Sequence, residues 1–131
     1  MEVDMEKKAI LVVDDELEFL KMIRMRLEAN GFEVVTAISG DEALDKVEKY
    51  KIDAVLLDIL MPGMDGIEVL RRMRKNHKDL PIFIITAFSS EERFAMANKY
   101  NASGFIVKTS DLKKEIEHIT SVLRISDKFK G

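Results

Sequence analysis

Five side chains of this 131-residue chain have types and spacings that suit phosphoryl chemistry: Asp14, Asp15, Asp58, Thr86 and Lys108. Each ends or directly follows a short apolar run. Three carboxylates brought to one place repel one another, by about 3 kcal/mol per pair at ~5 Å and an effective dielectric of about 20. A hard divalent cation offsets that repulsion, and ligands that are all oxygen suit Mg²⁺ better than zinc. Lys108 opposes the acids without cancelling them, and Thr86 offers a hydroxyl donor. Such a set can stabilise the equatorial oxygens of a transferring phosphoryl group. An aspartate can itself be the nucleophile and form an acyl phosphate.

Taken singly, each residue has a plainer explanation. Adjacent acids after a strand often cap a helix, and Asp opens many loops. Thr suits a strand end, and a lone Lys usually belongs to the surface. Registration of the set at four strand ends is what propensity does not predict.

The elements that would position these residues read as five strands alternating with five helices. The apolar runs are Ala9–Val13, Phe32–Thr36, Ala54–Leu57, Ile82–Ile85 and Phe105–Val107. The first, third and fourth lack alternation, as strands buried on both faces do. Helical patterns cover Leu17–Asn30, with Leu17, Leu20, Ile23 and Leu27 on one face, and Asp41–Tyr50, with Ala43, Leu44 and Val47 inward. The third runs Ile67–Asn76, entered through Gly66. The fourth runs Ser89–Tyr100, with Ser89 or Ser90 as cap and Glu92 placed for a capping box. Asn101 falls where a left-handed cap is wanted. The fifth runs from Asp111 to about Ile125, with Ser110 as cap and Leu112, Ile116, Ile119 and Leu123 as its apolar stripe. This order predicts an α/β fold, a doubly wound (βα)5 unit whose parallel sheet has helices on both faces and strand order 2-1-3-4-5. Sites in such sheets form at the carboxyl ends of the strands.

Composition narrows the function classes. Apolar residues are 47% and charged residues 34%, the balance of a globular chain rather than a disordered one. No apolar run approaches the ~20 residues of a membrane span. With a formal charge of -3 and no basic block, direct nucleic-acid binding is not expected. There is no cysteine, hence no disulfide framework. His77 and His118 match no motif and are expected at the surface. Arg71, Arg72, Arg74 and Lys75 read as a solvated helix face. The methionines of the loop Met61-Pro62-Gly63-Met64-Asp65-Gly66 are expected to fill space.

The runs Val12-Val13-Asp14-Asp15-Glu16, Asp58-Ile59-Leu60-Met61-Pro62-Gly63-Met64-Asp65-Gly66, Ile85-Thr86-Ala87 and Gly104-Phe105-Ile106-Val107-Lys108 resemble the receiver domain of two-component response regulators, chemotaxis-regulator-like in scope. The resemblance covers roughly Lys7 to Ile125 and implies a flavodoxin-like fold. It implies a domain at 8–125, a flexible N-terminus at 1–7, and at 126–131 a tail or the start of a linker. It makes Asp58 the phosphoacceptor, loaded from the phosphohistidine of a sensor histidine kinase or histidine phosphotransfer protein, or from a small acyl phosphate. Asp15 would bind Mg²⁺ directly (Mn²⁺ could substitute) and Asp14 largely through water, with Asp58 and the Leu60 carbonyl completing the protein ligands. Lys108 would pair with phosphoryl oxygens. Thr86 and Phe105 would form the switch that reshapes the face of the fourth helix, fifth strand and fifth helix. The implied setting is cytoplasmic, with a downstream protein target, no membrane, and dimerisation on phosphorylation left open.

Three departures from the family pattern stand out. Thr109 follows Lys108 where a cis proline is usual, Tyr100-Asn101-Ala102 replaces Ala-Gly-Ala, and Phe105 has no phenolic hydroxyl. Phe94, placed opposite the row of Ala95 and Asn98, is a candidate partner contact, or else packs on the fifth helix. Two rival functions are weaker. A metal-dependent aspartyl phosphatase needs Asp-x-Asp after the first strand, where this chain has Asp14-Asp15-Glu16. A pseudo-receiver binding module has only the Lys108-Thr109 junction in its favour.

Overall fold

The computed structural model describes residues 7–87, 90–108, 113–114 and 116–121. Within them run β1 (Ala9–Val13), α1 (Leu17–Ala29), β2 (Glu33–Ala37), α2 (Gly40–Lys49), β3 (Ala54–Leu57), α3 (Gly66–Asn76), β4 (Ile82–Thr86), α4 (Glu91–Lys99) and β5 (Gly104–Val107). A fifth helical segment occupies residues 113–114 and 116–121. The sheet is wholly parallel, in the expected order β2-β1-β3-β4-β5.

The period of two along each strand divides the core into two layers. Ile10 and Val12, Ala54 and Leu56, Phe83 and Ile85, and Ile106 face α1 and the fifth helical segment, where Phe19, Leu20, Ile23, Leu27, Ile116 and Ile119 meet them. The alternate residues Leu11, Val13, Val55, Leu57, Ile82 and Ile84 face α2, α3 and α4 through Ala43, Val47, Val69, Leu70, Met73 and Ala97. β1, β3 and β4 are buried along their whole length, whereas β2 and β5 are partly exposed edges.

Several local expectations hold and others move. Asn101 takes the left-handed conformation, with φ of 61°. Ser90, rather than Ser89, caps α4, its hydroxyl accepting from the Arg93 amide; Arg93 therefore stands where a capping box needs Glu, and Glu92 is one residue too early. Leu17 does not join the core and is 64% exposed. Phe19 takes its place because it lies one turn below Ile23, in the i, i+4 row that meets the sheet. Arg74 is no part of a solvated face. Its guanidinium donates to the carbonyls of His77, Leu80 and Asn101, tying the end of α3 to the turns before β4 and β5. Arg71 and Arg72 bind Glu68 on the surface as a helical face would. His77 is partly buried and bonds Glu48 across α2 and α3 at 2.7 Å, while His118 is exposed. Among the expectations for the last helix and its approach, Thr109, Ser110, Asp111, Leu112 and Leu123 lie outside the described residues, as does Ser89.

Gly66 opens α3 because nothing larger fits. A Cβ there would fall on the Cα of Ile59 and come within 2.6 Å of the Asp58 carbonyl. Gly66→Ala is therefore expected to cost about 3 kcal/mol, read as a lower urea midpoint. An unchanged midpoint would show that the loop after β3 yields freely.

Candidate functional site

The register of the sheet brings the acids together. Val13 pairs with Leu57, so the next residues along β1 and β3, Asp14 and Asp58, stand side by side; the Asp58 amide donates to the Val13 carbonyl at 2.9 Å. At the other side of β3, Thr86 ends β4 opposite Val107, and the Lys108 amide donates to the Thr86 carbonyl at 2.6 Å. Four strand ends thus deliver their residues to one edge. Carboxylate oxygens of Asp14, Asp15 and Asp58 all lie within 4.8 Å of one another.

Asp14, Asp58 and Thr86 are buried, whereas Asp15 is exposed at the mouth. Each buried acid has a fixed orientation. Asp14 Oδ1 accepts from the Glu16 amide at 2.9 Å, and Asp58 Oδ1 accepts from the Leu60 amide at 3.1 Å. Lys108 Nζ donates to Asp14 Oδ2 at 2.6 Å and to Glu16 Oε1 at 3.2 Å, and stands 3.7 Å from Asp58 Oδ2. Sequence spacing did not assign Glu16 a role. It is nonetheless the third carboxylate on the ammonium, 92 residues away in the chain. Its only signal was adjacency to Asp14-Asp15.

The electrostatics follow from four acids facing one base. Burial pushes the Asp58 carboxyl up to about 6; Asp14 and Asp15 push it the same way, against the Leu60 amide and Lys108. Burial also raises Asp14, although its bonds to Lys108 and Glu16 oppose that. For Lys108, burial alone would lower the pKa, but the Asp14 hydrogen bond and the charges of Asp14 and Asp58 together raise it. The cluster is short of positive charge, and the atoms its acids offer to a metal are all oxygen. It fits a hard divalent cation such as Mg²⁺.

A pH dependence results. Because the native Asp58 carboxyl lies near 6 rather than 3.8, the folded protein holds its proton more tightly than the unfolded chain. That contribution is full below the unfolded value and is lost as pH rises through about 6, by up to about 3 kcal/mol. In chelator, the melting temperature of Asp58→Asn should exceed that of the unsubstituted protein at pH 7, and the gap should close near pH 4. A gap that stays constant with pH would contradict the charge origin.

The family profile for the response regulator receiver domain matches residues 10–120. The chain belongs to the response regulator receiver domain family. Its relatives include the chemotaxis protein CheY of Treponema pallidum, 41% identical over 121 residues, covering 88% of this chain and 82% of that one. The alkaline phosphatase synthesis transcriptional regulatory protein PhoP of Bacillus subtilis is 34% identical, covering 92% of this chain and 50% of its own length. This receiver domain thus spans about half the length of the first curated relatives it matches. Among solved structures, a CheY-like receiver from Methanospirillum hungatei superposes with a TM-score of 0.88 at 29% identity, covering 96% of this chain and all of that one. The Thermotoga maritima response regulator TrrA, solved with Mg²⁺ and beryllofluoride, has a TM-score of 0.79 at 36% identity over 87% and 97% of the two chains. The flavodoxin-like fold of the receiver is thereby established.

Phe105 and Thr86 share the sheet face that α4 covers, since Phe105 pairs with Ile84, which lies two residues before Thr86 on the same strand. The Phe105 ring leans on Phe94 at 5.2 Å between centroids, tilted by 50°. Phe94 is 48% exposed, so it is not buried against the fifth helix. It does not oppose Ala95 and Asn98; all three line one open groove, because Phe94 and Asn98 are four residues apart and share a helix face. No helix among the described residues is long and apolar enough to cross a membrane.

Proposed function

We propose that this receiver domain is a phosphorylation-activated switch in which Asp58 accepts a phosphoryl group in a Mg²⁺-dependent reaction. The convergence of Asp14, Asp15 and Asp58 with Lys108 at one sheet edge carries the reading. Asp15 would hold the cation directly and Asp14 largely through water, and Asp58 with the Leu60 carbonyl would complete the protein ligands; Mn²⁺ could substitute. When bound, the cation supplies positive charge to the carboxylates and to the phosphoryl oxygens.

The Leu60 amide fixes Oδ1 of Asp58, which leaves Oδ2 to attack phosphorus. The O–P bond forms as the bond to the leaving group breaks: the P–N bond of a phosphohistidine on a sensor histidine kinase or histidine phosphotransfer protein, or the P–O bond of an acyl phosphate. Lys108 exchanges its carboxylate partners for phosphoryl oxygens, and the Thr86 hydroxyl donates to another. Water later attacks the same phosphorus and returns the free carboxylate. Movement of Thr86 draws Phe105 inward, and the face of α4, β5 and the fifth helical segment, Phe94 included, changes shape for a downstream protein target. The setting is cytoplasmic, within a receiver unit of residues 8–125, and the phosphorylated form is the one that dimerises if any does. Neither membrane nor nucleic acid is a partner of this unit.

Acetyl phosphate with Mg²⁺ is expected to add the mass of one phosphoryl group, and chelation to stop it. Addition that proceeds equally in chelator would contradict the role of the cation.

A further inference from the structure

We infer that Phe19 is a positioning residue for Lys108: its ring face is the floor on which the ammonium rests beside the phosphoacceptor. This rests on the function proposed above.

The strand alternation explains why the two meet. Ile106 faces α1, and Lys108, two residues on, continues on that side. Phe19 lies on the first turn of α1 and is only 8% exposed, so its ring is fixed by the core. Lys108 Nζ stands 4.1 Å from the ring centroid. An ammonium has three donors. Two are taken, by Asp14 and Glu16; Asp58 Oδ2 at 3.7 Å is beyond hydrogen-bond reach. The ring therefore meets the part of the cation that the carboxylates leave uncovered. The Lys108 side chain is only 12% exposed, which places the contact where a cation–π attraction is least screened by water.

The consequence is directional. A lysine has four rotatable bonds and a point charge with no preferred plane. Without a floor, its ammonium is free to follow the exposed Glu16 outward. The ring keeps it within the site, so that a short swing from Asp14 brings it to oxygens carried by Asp58. An aliphatic side chain of similar size fills the core but offers no negative face.

Binding of beryllofluoride with Mg²⁺ to the whole chain tests this, together with the proton shifts of the Lys108 side chain. Phe19→Leu should weaken beryllofluoride binding by about three- to tenfold, the range of a partly desolvated cation–π contact. Phe19→Tyr, which keeps the ring, should bind as the unsubstituted protein does. In a Lys108→Ala background, Phe19→Leu should add no further loss. The Lys108 methylene protons next to the ammonium should be ring-shifted upfield in the unsubstituted protein and in Phe19→Tyr, and return to ordinary values in Phe19→Leu. The inference is overturned if Phe19→Leu binds normally, if Phe19→Tyr loses as much, if the loss persists without Lys108, or if the ring shift is absent. Failure of the unsubstituted protein to bind beryllofluoride, with the ring shift present, would instead overturn the proposed function.

Discussion

Asp58→Asn should take up no phosphoryl group from acetyl phosphate under conditions where the unsubstituted protein is modified, and the loss should be complete rather than partial. The substitution changes little else. Asn keeps the shape and the carbonyl oxygen that accepts from the Leu60 amide. It also removes a buried charge that two neighbouring acids oppose, so the variant should be folded and more stable in chelator at neutral pH. What it lacks is an anionic oxygen with a lone pair to form the acyl phosphate. Intact-protein mass spectrometry reads the result. Residual modification in Asp58→Asn at the rate of the unsubstituted protein would locate the acceptor elsewhere, with Asp14 and Asp15 the nearest carboxylates.

The second large effect concerns the cation. Asp15→Ala should weaken Mg²⁺ binding by about tenfold or more, since loss of even an outer partner of a metal site typically costs that much. Asp15 is the exposed member of the acidic group, which makes its removal the cleaner test. Asp14 is the harder case, because it is buried and also carries the 2.6 Å bond to Lys108. Lys108 itself competes for the same carboxylates, so Lys108→Ala should raise Mg²⁺ affinity while Asp15→Ala lowers it. Titration by isothermal calorimetry or by fluorescence separates the two. Equal affinity in Asp15→Ala and the unsubstituted protein would remove Asp15 from the ligand set.

Residues whose place depends on position along a strand are legible in the sequence. Asp14, Asp58 and Thr86 end or follow strands buried along their whole length, Lys108 follows the edge strand β5, and a parallel sheet in 2-1-3-4-5 order places such ends together. Asn101 was legible because few side chains accept a φ of 61°. Contacts set by the third dimension were not. Glu16 and Phe19 meet Lys108 across the depth of the sheet edge, and no spacing near residue 108 announces residues 16 or 19. Arg74 sits among Arg71, Arg72 and Lys75, whose pattern is that of a solvated face. Only the turns folding over the end of α3 convert it into a clamp. Leu17 lies outside the core for a related reason: an apolar residue before the first full turn of a helix has the right type but no sheet beneath it, and it lines an outer groove with Ile38 instead. Phe94 stands four residues before Asn98, so the two share one helix face, a relation the sequence itself carries.

Reductive trapping tests the central claim most directly, because it reads the bond itself. Borohydride converts an aspartyl acyl phosphate to homoserine and leaves a free carboxylate untouched. After reaction with acetyl phosphate and Mg²⁺, peptide mapping should find homoserine at position 58 and at no other aspartate. Homoserine elsewhere, or a phosphoryl group that survives borohydride on the intact protein, would contradict it.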